Sequence, residues 1–318
     1  MDMMVILLSL GVSFILAVLI GPLFIPLLKR LKFGQQIRTD GPQSHLKKSG
    51  TPTMGGVIIM LALLISFVKF AEISSEFWVL LTASLGFGIV GFLDDYIKIV
   101  FKRSLGLTAK QKLAGQLLFS IIVCAQLYNM GHSTELLIPG TEIGFDLGWF
   151  YYPFVIIILF AASNSVNFTD GIDGLLAGTS AIAFGAFTIV ALLADSYDAA
   201  IFSAAMVGAV LGFLVYNAHP AKVFMGDMGS LGIGGGIAAV AIITKTELLL
   251  VIIGGVFVLE MLSVIIQVAS FKIRKKRVFR MSPIHHHFEL SGWSEWKVDA
   301  VFWTVGLVLA VIGLLLVL

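Results

Sequence analysis

Apolar runs about the length of a bilayer crossing recur along nearly the whole chain, and they restrict it to a bundle of membrane helices. A helix needs roughly 20 mostly apolar residues to cross the hydrocarbon core. Met4 to Leu28, Phe77 to Leu93 and Val298 to Leu318 meet that test. About ten such segments can be marked, near 4–28, 54–71, 77–97, 112–130, 150–167, 174–194, 198–217, 229–244, 248–271 and 298–318. Charged residues make up 13% of the 318 and hydrophobic residues 58%, against about 25% charged in a soluble domain. Too little polar surface remains to cover a water-soluble globule. The expected fold class is therefore an all-α integral membrane protein, a single polytopic domain over residues 1–318.

The first apolar run follows only Asp2, whereas Lys29, Arg30 and Lys32 come after it. A secretory signal has the reverse order, so this run reads as a retained span with its N-terminus outside. Short cytoplasmic loops carry an excess of Lys and Arg. With ten spans and both termini extracytoplasmic, every one of the 21 basic residues except Lys69 and Lys245 falls on the inner side. The single cysteine, Cys124, excludes an internal disulfide and reads as a packing residue. Between spans, residues 131–149 place Pro139-Gly140 among alternating apolar residues, which predicts a short external hairpin.

The uncommon residues gather in four clusters, all assigned to the inner side. Asp94 and Asp95 end the third span, with Lys98 four residues after Asp94. Acids at membrane depth are functional candidates by default, with Mg²⁺ ligation and general-base work as their usual uses; a solvated helix end with a surface ion pair is the plainer alternative. In the second cluster Asn164, Asn167, Asp170 and Asp173 recur every third residue. On a helix that makes one slowly drifting polar stripe, although Gly171 and Gly174 allow a turn. The third cluster, Asn217 to Ser230, contains Asp227 ahead of a glycine-rich helix. A helix start can approach a phosphate, while the glycines themselves are expected to serve close helix packing.

The fourth cluster is Pro283 to Glu289, with His285, His286 and His287 consecutive. Consecutive side chains diverge, so all three are not expected on one metal, and a zinc site would want better-spaced ligands. A histidine here can bind phosphate or move a proton near neutral pH. Basic residues around 38–56 and 272–280 satisfy the inner-side rule and attract anionic lipid. Lys47, Lys48, Lys98 and Lys110 are the candidates for phosphate handling, because they lie near the other motifs. Carboxylates, Mg²⁺ and lysines together describe phosphoryl transfer, in which catalysis is mostly positioning and charge neutralisation. Glu260 stands apart, deep in the ninth span, with Gln267 seven residues later on nearly the same face.

These motifs carry a resemblance. GTPTMGG at 50–56, FLDDYIK at 92–98, NSVNFTDGIDG at 164–174, NAHPAKVFMGDMGS at 217–230 and PIHHHFE at 283–289 resemble the polyprenyl-phosphate N-acetylhexosamine-1-phosphate transferase superfamily over nearly the whole chain. PIHHHFE points to the branch that joins UDP-MurNAc-pentapeptide to undecaprenyl phosphate, giving lipid I and UMP with Mg²⁺. The resemblance implies metal ligation by Asp227 and Asp94, and catalytic roles for Asp94, Asp95, Asp227 and His285. It implies phosphate or substrate contacts from Lys47, Lys48, Thr53, Lys98, Lys110, Gln267, His286 and His287. Asn164, Asn167, Asp170, Asp173, Asn217 and Phe224 would line the nucleotide-sugar site. It also implies a homodimer in a bacterial plasma membrane, a cleft open to the cytoplasm, and no nucleic-acid partner. A sister enzyme moving GlcNAc-1-phosphate onto the same carrier is the nearest alternative. A cation-coupled transporter would place its acids mid-membrane in broken helices, often with inverted repeats; here the clustered acids, Glu260 apart, lie at span ends on one side, and no repeat is found.

Overall fold

The computed structural model describes residues 3–30, 48, 50–101, 103, 105–141 and 143–318. In chain order the helices are α1 (Met3–Arg30), α2 (Gly56–Phe70), α3 (Ser75–Val100), α4 (Ala109–Asn129), α5 (Tyr151–Thr169), α6 (Leu175–Leu193), α7 (Tyr197–Asn217), α8 (Gly226–Ile243), α9 (Leu249–Ile253), α10 (Gly255–Arg274), α11 (Ile284–Glu289) and α12 (Glu295–Leu315). Among the described residues, 8 helices are long and apolar enough to cross a membrane: α1, α3, α5, α6, α7, α8, α10 and α12. The protein is a multi-pass membrane protein. Outward-facing residues such as Leu23, exposed at 77%, and Ile265 at 54% would be intolerable in water over so large an area.

The remaining two of the ten expected segments are helical too, but fall short of that test. α2 is apolar yet only 15 residues long. α4 has the length, at 21 residues, but carries Lys110, Gln111, Lys112, Gln116 and Gln126. One expectation fails: the single span over 248–271 is broken into α9 and α10 at the Gly254–Gly255 pair, a sequence that bends helices. The polar run from Asn164 to Asp173 leaves the helix where the expected spans leave a gap, between 167 and 174: α5 stops at Thr169 and the chain turns through Gly174, whose φ is +85°.

α8 is the central helix, packed against α3, α5 and α2. Its glycines permit this. A methyl at Gly235 would lie 2.5 Å from the Ala83 carbonyl oxygen of α3, and one at Gly234 would lie 2.4 Å from Ser163 Cα of α5. Close backbone approach of this kind is how membrane helices gain packing without a hydrophobic driving force between them. α1 packs on α7 in the same manner, at Gly208 and Gly212.

The bundle has two dissimilar ends. At one, β1 (Glu135–Leu137) and β2 (Gly144–Asp146) form the expected antiparallel hairpin, with Leu136 opposite Phe145. Beside it, Tyr151 at the start of α5 donates to Glu247, and Lys245 reaches both Tyr151 Oη at 3.0 Å and Glu247 at 3.2 Å. At the other end, the C-termini of α3, α5 and α7 meet the N-termini of α4, α8 and α12. The polar clusters lie there.

Candidate active site

Helix phase decides which side chains meet. Asp94 and Asp95 fall in the last turns of α3, where both are buried. α8 crosses α3 at Gly91, where a methyl would lie 2.0 Å from the Asp227 carbonyl oxygen. The first turn of α8 therefore lies directly on the aspartate pair. Carboxylate oxygens of Asp94, Asp95 and Asp227 come within 4.8 Å of one another. Each acid is also held by backbone or amide donors. Leu107 N–H donates to Asp94 Oδ1 at 2.8 Å, Met228 N–H to Asp95 Oδ2 at 3.2 Å, and Asn167 Nδ2 to Asp227 Oδ1 at 3.0 Å.

Three carboxylates this close repel unless cations lie among them. Lys98, one turn beyond Asp94, does so: its Nζ is 2.5 Å from Asp94, 3.5 Å from Asp95 and 3.3 Å from Asp227. Lys112 supplies the second cation, 2.9 Å from Asp227 Oδ2. Its position follows from the start of α4. Thr108 and Gln111 close a capping box that fixes the helix phase, so Lys112 faces the acids while Lys110, two residues earlier, is exposed.

A second group lies around Asp173. Lys48 Nζ bridges Asp173 Oδ1 at 2.8 Å and Glu295 Oε2 at 2.6 Å. His219 Nδ1 lies 3.1 Å from Asp173 Oδ2, which also accepts from Ala221 N–H at 3.0 Å. These residues line a cleft of about 710 Å³ together with Thr51, Pro220, Glu289 and Trp293. Asp170 connects the two groups, since it feels the charges of both Asp227 and Asp173. Burial first, then the Asp227 charge, push the Asp170 carboxyl up to about 7, against the Gly226 N–H that favours its charged form.

The geometry is that of a polar, cation-balanced acid site at one end of a membrane bundle, and the comparisons with known proteins fit it. Residues 77–245 match the family described as Glycosyl transferase family 4. Residues 48–60, which enter the cleft at Lys48, match the phospho-N-acetylmuramoyl-pentapeptide-transferase signature 1. A phospho-N-acetylmuramoyl-pentapeptide-transferase from Halalkalibacterium halodurans is 61% identical over 316 residues, covering 98% of this chain and 97% of that protein. Its counterpart in Bacillus subtilis is 59% identical over 314 residues, again covering 98% and 97%. The chain belongs to the phospho-N-acetylmuramoyl-pentapeptide-transferase family.

In this transferase-family member, the other sequence candidates divide by what they touch. Thr53 is buried with Oγ1 against Gly226, where a methyl would approach to 3.0 Å. Phe224 is pinned by its backbone, donating to the Pro52 carbonyl and accepting from Gly55 N–H, each at 2.8 Å. Asn217 uses its side chain on Gly174 N–H and the Val223 carbonyl, both at 3.0 Å, so it holds the turn that carries Asp173. Asn164 lies farther inside α5, bonded to Gln116 and the Phe160 carbonyl, and does not reach the carboxylates. Gln267 accepts from Val278 and Phe279 N–H. The three histidines diverge: His285 to Glu260, His286 to Glu289, and His287 to the Arg280 N–H. Lys47 lies outside the described residues.

Three members of the site escape the sequence reading: Lys112, His219 and Glu295. For Lys112 a signal exists, since Gln116, Ser120 and Cys124 on the buried face of α4 step back by four to residue 112. His219 sits inside a quoted motif. Glu295 has no local signal, being 122 residues from its partner Asp173.

Proposed function

We propose that the protein transfers phospho-MurNAc-pentapeptide from UDP-MurNAc-pentapeptide to undecaprenyl phosphate, giving lipid I and UMP, at the carboxylate end of the bundle. The observation that carries this reading is the convergence of Asp94, Asp95 and Asp227 with Lys98 and Lys112, in a chain 61% identical to a named transferase. Three oxygen donors within 4.8 Å of one another fit a hard divalent cation such as Mg²⁺, with Asp227 and Asp94 as ligands. When bound, Mg²⁺ would neutralise charge on the pyrophosphate.

The chain's own residues do the rest. The uridine diphosphate sugar lies along the Asp173 cleft, with Lys48 and the Asp170–Gly174 turn against it. A phosphate oxygen of the lipid attacks the β-phosphorus. The bond from that phosphorus to the bridging oxygen breaks, and UMP leaves with the oxygen. Lys98 and Lys112 balance the charge that builds on the phosphoryl oxygens. The Asp94–Asp95 pair accepts the remaining proton of the lipid phosphate, and His285 meets substrate phosphate from the α11 side. Direct attack needs only positioning, because the acceptor is already an anionic nucleophile.

The site end is proposed to face the cytoplasm, where nucleotide sugar is available, with α2 and α4 completing ten crossings and both termini outside. A homodimer is part of the same proposal; its support is the family, and native mass spectrometry in detergent tests it. The deciding experiment is UMP release by purified protein supplied with a polyprenyl phosphate. We expect release with UDP-MurNAc-pentapeptide, none with UDP-GlcNAc, and loss on chelation or in Asp227→Ala. Release from UDP-GlcNAc instead would move the protein to the sister activity.

A further inference from the structure

Glu260 is a fully buried carboxylate on α10, a helix whose neighbouring residues Leu259, Leu262 and Ile265 face outward. Acids at such positions are rare and need partners. Both of its oxygens have one. Oε1 lies 3.0 Å from His285 Nδ1, and Oε2 accepts the Ile284 N–H at 2.9 Å. Oε2 takes the Ile284 N–H, and Oε1 takes an Nδ1–H in the His285 tautomer that carries its proton there. In that tautomer Nε2 is the atom left for other work.

The other edge of His285 meets the site. Nε2 is buried without a partner among the described residues. A methyl at Gly171 would lie 2.0 Å from it, so the ring edge presses on the turn between Asp170 and Asp173. The same helix holds the approach to α11: Gln267, two turns beyond Glu260, accepts from Val278 and Phe279 N–H and donates to the Phe279 carbonyl. α10 thus grips the excursion from residue 278 to 285 at two points, and Glu260 is the one that touches the ring.

We propose that Glu260 is a positioning residue for the transfer reaction: it orients His285 and fixes its tautomer so that Nε2 is presented at the Asp170–Asp173 turn, toward substrate phosphate. This rests on the reading in which His285 meets that phosphate. Glutamine in place of Glu260 offers one acceptor and one donor. It can serve Ile284 N–H or His285 Nδ1–H but not both, and the ring is released or turned to its other tautomer. Partners that orient a metal-bound histidine are worth about 10- to 100-fold, and a loss on that scale is expected for a histidine oriented toward phosphate.

The test is steady-state UMP release by purified protein in detergent, with the thermal midpoint as a control for folding. Wild type must first release UMP; if it does not, the transferase reading fails rather than this one. Glu260→Gln is expected to lower kcat by about 10- to 100-fold with KM for the nucleotide sugar changed by less than about threefold. Glu260→Asp, which keeps both acceptors, is expected to recover part of the loss. In a His285→Ala background the Glu260→Gln change is expected to add nothing, since residues acting as a unit are not additive. Wild-type kcat in a folded Glu260→Gln protein overturns the proposal, as does an equal loss in the presence and absence of His285. Should Glu260→Gln not yield folded protein, the same cycle run with Glu260→Asp decides on the same criterion.

Discussion

Lys110 and Lys112 differ by two positions and, on a helix, by opposite faces. Lys112 lies 2.9 Å from Asp227 Oδ2, whereas Lys110 is exposed on the outer face of α4. Replacing each by methionine separates charge at the site from charge in the loop. Removing one preorganised donor from a site of developing charge costs about 10²- to 10³-fold in rate. Lys112→Met is therefore expected to lose at least about 100-fold in UMP release, and Lys110→Met to stay within about twofold, as exposed substitutions do. Equal effects from the two would place the phosphate-handling charge elsewhere. Asp170 makes a second prediction at this scale. The folded chain holds its proton up to about pH 7, while an unfolded aspartate releases it near 4. Over that interval the folded state binds more protons, so stability falls as pH rises from about 4 to about 7. Asp170→Asn removes the dependence. Its thermal midpoint relative to wild type, measured with chelator present, should climb between about pH 5 and about pH 8; a flat difference would mean that Asp170 is ionised throughout.

At the scale of elements, the crossing of α3 and α8 builds the acid site. A methyl at Gly91 would meet the Asp227 carbonyl oxygen at 2.0 Å and Met228 N at 2.6 Å. Both are backbone atoms, so relief requires α8 to move off α3 and carry Asp227 away from Asp94 and Asp95. Gly91→Ala should raise the Mg²⁺ concentration giving half-maximal UMP release by about tenfold or more, with helix content by circular dichroism unchanged. Gly185→Ala on α6, where nothing lies within 4 Å, is the matched control. These helices were legible in the sequence because apolar run length alone separates a buried helix from a loop, and all ten segments are helical. The turn after Thr169 was legible too, in the gap between 167 and 174 and in Gly171 and Gly174, although three-residue spacing from Asn164 to Asp173 by itself fits a helix. The Gly254–Gly255 break was not, since each half keeps the same apolar pattern. The aspartates were legible as rare acids at span ends. Glu295 was not, because its meeting with Asp173 depends on how α12 packs against α6, and no local pattern encodes that.

For the molecule as a whole, the two ends predict a direction in the membrane. Chemistry and basic charge collect at one end: Lys48, Lys98 and Lys112 contact acids there, and the chain leaving α10 continues through Lys275, Lys276 and Arg277. The hairpin end has Lys245, tied into Tyr151 and Glu247, and little else that is basic. Retention of Lys and Arg on the cytoplasmic side then predicts the hairpin outside, whatever the enzyme does. Cys124 is buried, so an introduced cysteine can be read against a silent background. Thr141→Cys, in the exposed hairpin turn, should react with a membrane-impermeant maleimide on intact cells. Lys276→Cys, exposed just beyond α10, should react only after the membrane is opened. If both label on intact cells, the chain does not separate its ends across the bilayer as argued. If the pattern is reversed, the carboxylates face away from the cytoplasm, and a soluble nucleotide sugar could not reach them there.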